Sequence, residues 1–130
     1  MKRNLTLATT MAVAVLLVLV PKSVAEAPVA DQKPTITPKQ YAQEELKHRG
    51  YLRNNWECLE ALWQKESNWR PLADNPKSTA FGIAQMLNEK STDPFTQIDN
   101  GLRYIEHRYG NPCKAWEAWK ERDKRGVGWY

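Results

Sequence analysis

Only two histidines and two cysteines occur among the 130 residues. His48 and His107 stand at no ligand spacing from Cys58 or Cys113, so the pattern of a metal site is missing. No metal or other cofactor is expected. A concentrated basic face is missing as well. The chain carries 19 basic and 15 acidic residues, a net charge of +4, but Lys2, Arg3 and Lys22 belong to a leader that holds no acid. The remainder has 16 basic and 15 acidic residues, a net +1. The densest charged run, Lys120 to Arg125, mixes both signs and reads as a solvated helix end. Nucleic acid is therefore excluded as a partner. Internal repeats are absent, and the length leaves room for one domain.

The leader itself is the long apolar run. Residues 1–25 begin with Lys2 and Arg3, pass through "LTLATTMAVAVLLVLV" and end in the small-residue stretch "SVA". That order is a secretory signal peptide. The alternative is a retained signal anchor, because the run is long for a signal and slightly short for a span. A membrane is a partner only if the leader is retained. Either way the domain is exported, to the periplasm or the cell exterior. Residues 26–36, "EAPVADQKPTI", carry two prolines and little apolar material, which makes a flexible tether.

Ordered structure is expected over 37–130, mainly as short helices. Thr37, Pro38 and Gln40 form a capping box that opens a helix to about His48, stopped by Gly50. Asn54 with Glu57 three residues on opens a second, whose apolar face is Trp56, Leu59, Leu62 and Trp63. Asn68 to Pro71 end it, since the residue before proline avoids the α region. "LADNPKSTA", 72–80, reads as loop, and "FGIAQML" as a brief helix or a buried strand. Asp93-Pro94 opens a helix with Ile98, Leu102 and Ile105 at helical spacing, stopped by Gly110. Asn111-Pro112 opens the last one, with Ala115, Trp116 and Trp119. An even, isolated pair of cysteines in an exported chain points to a Cys58–Cys113 disulfide.

One residue breaks the apolar pattern. In "LWQKESNWRP", 61–70, Glu66 falls four residues after Leu62 and three after Trp63, on the buried stripe. Two readings stay open. Glu66 can reach solvent at a frayed helix end or pair with Arg70. Alternatively, held against Leu62, Trp63 and Trp69, it loses water, its pKa rises, and it becomes a proton donor at neutral pH. Six tryptophans and five tyrosines suit sugar stacking, though they serve equally as core.

Over residues 56–130 the chain resembles the soluble lytic transglycosylases, a lysozyme-like family. The resemblance rests on "ESNWRPLADNPKSTAFGIAQ": Glu66-Ser67, Trp69, Pro71, Asn75-Pro76, Ser78, Gly82 and Gln85. "NGLRYIEHRYGNPCKAW" and the terminal "GWY" resemble an exported branch whose cysteine pair falls where Cys58 and Cys113 do. The resemblance implies a lysozyme-like α domain around a groove for peptidoglycan glycan strands, acting as a monomer. It implies Glu66 as the catalytic acid and base, with Ser67 orienting it. Ser78, Gly82, Gln85 and Trp116 would contact substrate. The reaction would cut between N-acetylmuramic acid and N-acetylglucosamine and leave a 1,6-anhydro sugar. The alternatives are a hydrolytic muramidase on the same fold and a catalytically silent peptidoglycan-binding protein. No acid after Glu66 stands in a marked position as a second carboxylate. Asp93 reads as a helix cap, Asp99 as a surface residue, and Asp74 as the one loop acid near Glu66; Glu89 lies further on. The family's Ala-Tyr-Asn motif is replaced by "AWE", 115–117, so Trp116, Tyr104 or Tyr109 is expected to take the place of its tyrosine.

Overall fold

The structure, a computed structural model, describes residues 17–19 and 35–127. The leader over 1–25 falls outside the described residues apart from 17–19, the tether apart from 35 and 36, and so does the terminal "GWY". Among the described residues no helix is long and apolar enough to cross a membrane.

Four helices and one small hairpin follow in the order α1 (Pro38–His48), α2 (Arg53–Ser67), β1 (Ala80–Phe81), β2 (Met86–Leu87), α3 (Pro94–Tyr109) and α4 (Pro112–Lys124). The domain is mainly α. Three of the four helices begin with the same device, a short polar cap followed by proline. Thr37 accepts from Gln40 N while Gln40 Oε1 accepts from Thr37 N, closing the capping box. Asp93 and Asn111 accept from the N–H groups of Thr96 and Lys114. Each cap satisfies a helix-end donor that would otherwise stay unpaired. The second helix departs from this rule. It starts at Arg53, one residue before the expected cap Asn54, with Leu52 at the N-cap and no side-chain bond there.

The end of α2 is sharper than a proline alone would make it. Asn68 and Trp69 both take left-handed backbone angles, φ 56° and 58°. This turn reverses the chain while seating Trp69 in the core, edge-on to Trp63 with ring centroids 5.2 Å apart. Leu59, Leu62 and Trp63 of α2, Ile98, Leu102 and Ile105 of α3, and Ala115 and Trp119 of α4 form the centre of that core. The packing of α2 on α4 is the most extensive between elements. A Cys58–Cys113 disulfide joins the same two helices.

"FGIAQML" is neither one helix nor one strand. Ala80 pairs with Leu87 and Phe81 with Met86, antiparallel, around a tight loop through Gly82 and Gln85, both at positive φ. Gly101 allows this hairpin to approach the helices. A Cβ there would lie 2.7 Å from both Ala84 Cβ and the Trp63 ring.

Two residues expected at the surface are only partly exposed and carry bonds. Asp99 accepts a hydrogen bond from Tyr41 Oη at 3.2 Å and lies 3.9 Å from Arg49, inside a network that ties α1 to α3. Arg122, in the run expected to be solvated, is partly buried and donates to Tyr109 Oη at 3.2 Å.

Candidate active site

Glu66 is the penultimate residue of α2. Its position on the buried stripe leaves Oε1 shielded from solvent and without a hydrogen bond. Such burial penalises the charged form, and the carboxyl is pushed from its usual 4.5 up to about 7. Two groups on α4 act in the other direction, the Trp119 indole and the positive charge of Arg122, and they do not offset the loss of water. The indole acts on the carboxyl as a neighbouring donor. Yet its Nε1 is itself buried and completes no hydrogen bond of normal geometry. Catalytic hydrogen bonds are often long without substrate and tighten in the complex. Arg70 is not the partner of Glu66, because its Nε donates to Ser67 O at 3.0 Å, closing the helix end.

Ser67 follows the acid but faces the interior. It is 4 % exposed, and its Oγ donates to Ile83 O at 2.6 Å. This bond fastens the hairpin loop to the residue beside Glu66. Gly82 is required in that loop for two reasons. Its φ is +78°, and a Cβ would lie 2.5 Å from the Gln97 side chain. Gln97 has little room to give: it is 1 % exposed and bonds Ile83 N, Pro71 O and Ser91 O. Gln85 turns its amide inward and donates to Ala73 O and Gly82 O at 3.0 and 2.9 Å. Ser78 is exposed at the hairpin entrance, where its Oγ accepts from Ala80 N at 3.1 Å. Ser67, Gly82 and Gln85 thus form one brace against the end of α2, in which Ser67 and Gln85 spend their side chains on backbone.

The opposite flank comes from α4. Trp116 is half-buried and stacks on Trp119, with centroids 5.2 Å apart and planes at 23°. It supports the indole that acts on Glu66. Tyr109 enters one step further out, its ring carrying Arg122 at 5.8 Å and meeting Tyr104 edge-on at 6.2 Å. Sequence reasoning missed Trp119 and Arg122 as site residues. They lie three apart on one helix face, but nothing local connects that face to Glu66.

The other carboxylates divide cleanly. Asp93 caps α3, and Asp99 belongs to the Arg49 network. Glu89 accepts from Asn100 Nδ2 and from the backbone of Lys90 and Ser91, each at 2.8 Å. Asp74 is exposed, its backbone bridged to Phe81, and its carboxylate has no hydrogen bond or ion pair among the described residues. No group of three or more His, Cys, Asp or Glu side chains among the described residues is placed to hold a metal ion.

What this arrangement can do is move one proton. Its acid, with a pKa raised to about 7, keeps a large share of its proton close to neutral pH and stands beside two groups that favour its charged form. No family model, curated protein or solved structure matches the chain.

Proposed function

We propose that the protein is an exported peptidoglycan lytic transglycosylase with Glu66 as its single acid and base. One observation carries this reading. A carboxyl at the end of α2 is dehydrated enough to sit near pKa 7, with its Oε1 unpartnered. A carboxyl with no role in chemistry rarely stays buried without a partner.

The steps follow from that state. Protonated Glu66 gives its proton to the oxygen linking N-acetylmuramic acid to N-acetylglucosamine, and the bond from the muramyl anomeric carbon to that oxygen breaks. The N-acetylglucosamine leaves with a free hydroxyl. The carboxylate left behind is favoured by the Trp119 indole and Arg122. It takes the proton from the muramyl 6-hydroxyl as that oxygen bonds to the anomeric carbon. The 1,6-anhydro ring closes and Glu66 is again protonated, so no water is consumed. A pKa close to working pH serves both halves of such a cycle. The lysozyme-like architecture and the groove remain part of the same proposal, supported by the sequence string around Glu66 and by the hairpin braced beside it. Export is supported by the leader pattern and by a disulfide of the kind oxidising compartments maintain.

The test is release of soluble fragments from isolated peptidoglycan sacculi by the purified protein and by Glu66→Gln. Release is expected from the parent, declining as pH rises above about 7, and none is expected from the variant. Equal release by both proteins would remove Glu66 from the chemistry.

A further inference from the structure

A second feature lies between the hairpin and the outer face of α3. Asn100, Arg103, Tyr104 and His107 share one stripe of that helix and, with Met86 of β2, line an open cavity of about 470 Å³. Resting on the transglycosylase reading above, we infer that this cavity receives the acidic peptide branch carried by the glycan strand. Arg103 would hold a branch carboxylate.

The chemistry of the lining selects that class of ligand. Arg103 and His107 are exposed and make no ion pair among the described residues, whereas Lys39 and Lys47 of α1 and Lys120 and Lys124 of α4 each have a carboxylate partner. Arg103 is nonetheless held in place, because its Nη2 donates to Asn100 Oδ1. Asn100 is fixed in turn by Glu89, which accepts from Asn100 Nδ2. Burial disfavours ionised Glu89, but this bond and the backbone N–H groups of Ser91 and Lys90 outweigh it and hold its pKa below the usual value. The Glu89 carboxylate is thereby spent on neutral donors, and Asp99 and Glu106 of α3 face Arg49, which leaves the Arg103 guanidinium for a ligand. A planar guanidinium suits a carboxylate, His107 adds an imidazole donor, and Tyr104 with Met86 offers an apolar surface for amide-linked residues. A strand stripped of its peptides keeps a lactate carboxylate on each muramic acid but offers nothing amide-linked to the Tyr104 and Met86 surface.

Position supports the same assignment. Tyr104 lines the cavity and meets Tyr109, whose hydroxyl holds Arg122, and Arg122 acts on Glu66. On the hairpin side, Met86 follows Gln85 directly, and Ala84 is pressed toward Gly101 of α3. Ring contact, hydrogen bond and charge thus link the cavity to the acid in sequence. A branch seated in the cavity is thereby anchored on the framework that positions the acid.

The experiment uses soluble glycan strands with intact peptide stems and the same strands stripped by an amidase. Binding is read with the Glu66→Gln protein, so that cleavage does not interfere, and cleavage is read with the parent. Peptide-bearing strands are expected to bind on the order of tenfold more tightly, equivalent to about 1.4 kcal/mol. Adding Arg103→Gln and His107→Gln is expected to bring the ratio close to one, and Arg103→Lys to retain part of it. A ratio near one before those substitutions, or a ratio they leave untouched, would overturn the assignment. Selective binding that responds to Arg103 alongside an inactive parent would instead overturn the catalytic reading and keep the cavity as a peptide-branch site.

Discussion

Replacing Glu66 with glutamine should stabilise the fold, and by an amount that depends on pH. The carboxyl titrates near 4.5 in the unfolded chain and about 7 in the folded one. Between those values the folded state holds a proton that the unfolded state has released, so stability falls as pH rises through this window. At about 1.4 kcal/mol per unit, the full loss above pH 7 is about 3 kcal/mol. Below pH 4.5 both states are protonated and the loss vanishes. Glutamine never ionises, so its stability carries no such slope. Urea unfolding of both proteins at pH 4 and pH 8 separates this effect from any constant cost of placing an amide beside Trp119. The variant's advantage at pH 8 should exceed that at pH 4 by about 3 kcal/mol. An advantage equal at the two pH values would mean that Glu66 is hydrated, and the dehydrated acid on which the proposed function rests would be lost. Such a cost to the fold is what the proposed role of Glu66 as an active-site acid would entail.

Three further outcomes follow from named contacts. Trp119→Phe removes a group that favours the Glu66 carboxylate, so the alkaline limb of the activity profile should move upward while the maximal rate falls; pH–rate profiles of both proteins check this. Gly82→Ala forces a Cβ to 2.5 Å from the pinned Gln97 side chain at φ +78°, and should cost about 2 to 3 kcal/mol in urea unfolding. Reducing the Cys58–Cys113 bond, which spans 55 residues, should cost about 4 kcal/mol in the chain-entropy treatment, read from guanidinium midpoints with and without reductant.

The helices were legible because their ends are written locally. Thr37, Asp93 and Asn111 cap three of them through bonds within four residues, and the apolar residues at helical spacing in α3 are all buried. Asn54 misled because α2 starts without a side-chain cap, from the exposed Leu52. "FGIAQML" was ambiguous because two-residue strands are too short to show a period. In the site, Glu66 announced itself by breaking a stripe. Its environment did not, because Trp119 and Arg122 come from a helix that starts 45 residues beyond the end of α2. Tryptophan three residues beyond another tryptophan on α4 reads as core, and the Trp119 ring is indeed buried there. Only the packing of α2 on α4 brings its N–H into the neighbourhood of the acid. Gln85 and Ser67 were legible as members of the motif, but the carbonyls that hold their side chains depend on the hairpin's fold.

The most direct measurement is the mass of the glycan fragments the purified protein releases from isolated sacculi, compared with fragments from a hydrolytic muramidase. Products one water lighter, ending in 1,6-anhydromuramic acid and absent with Glu66→Gln, are expected if Glu66 alone serves as acid and base. Products with a reducing muramic acid end would contradict that chemistry and direct attention to the unpaired carboxylate of Asp74.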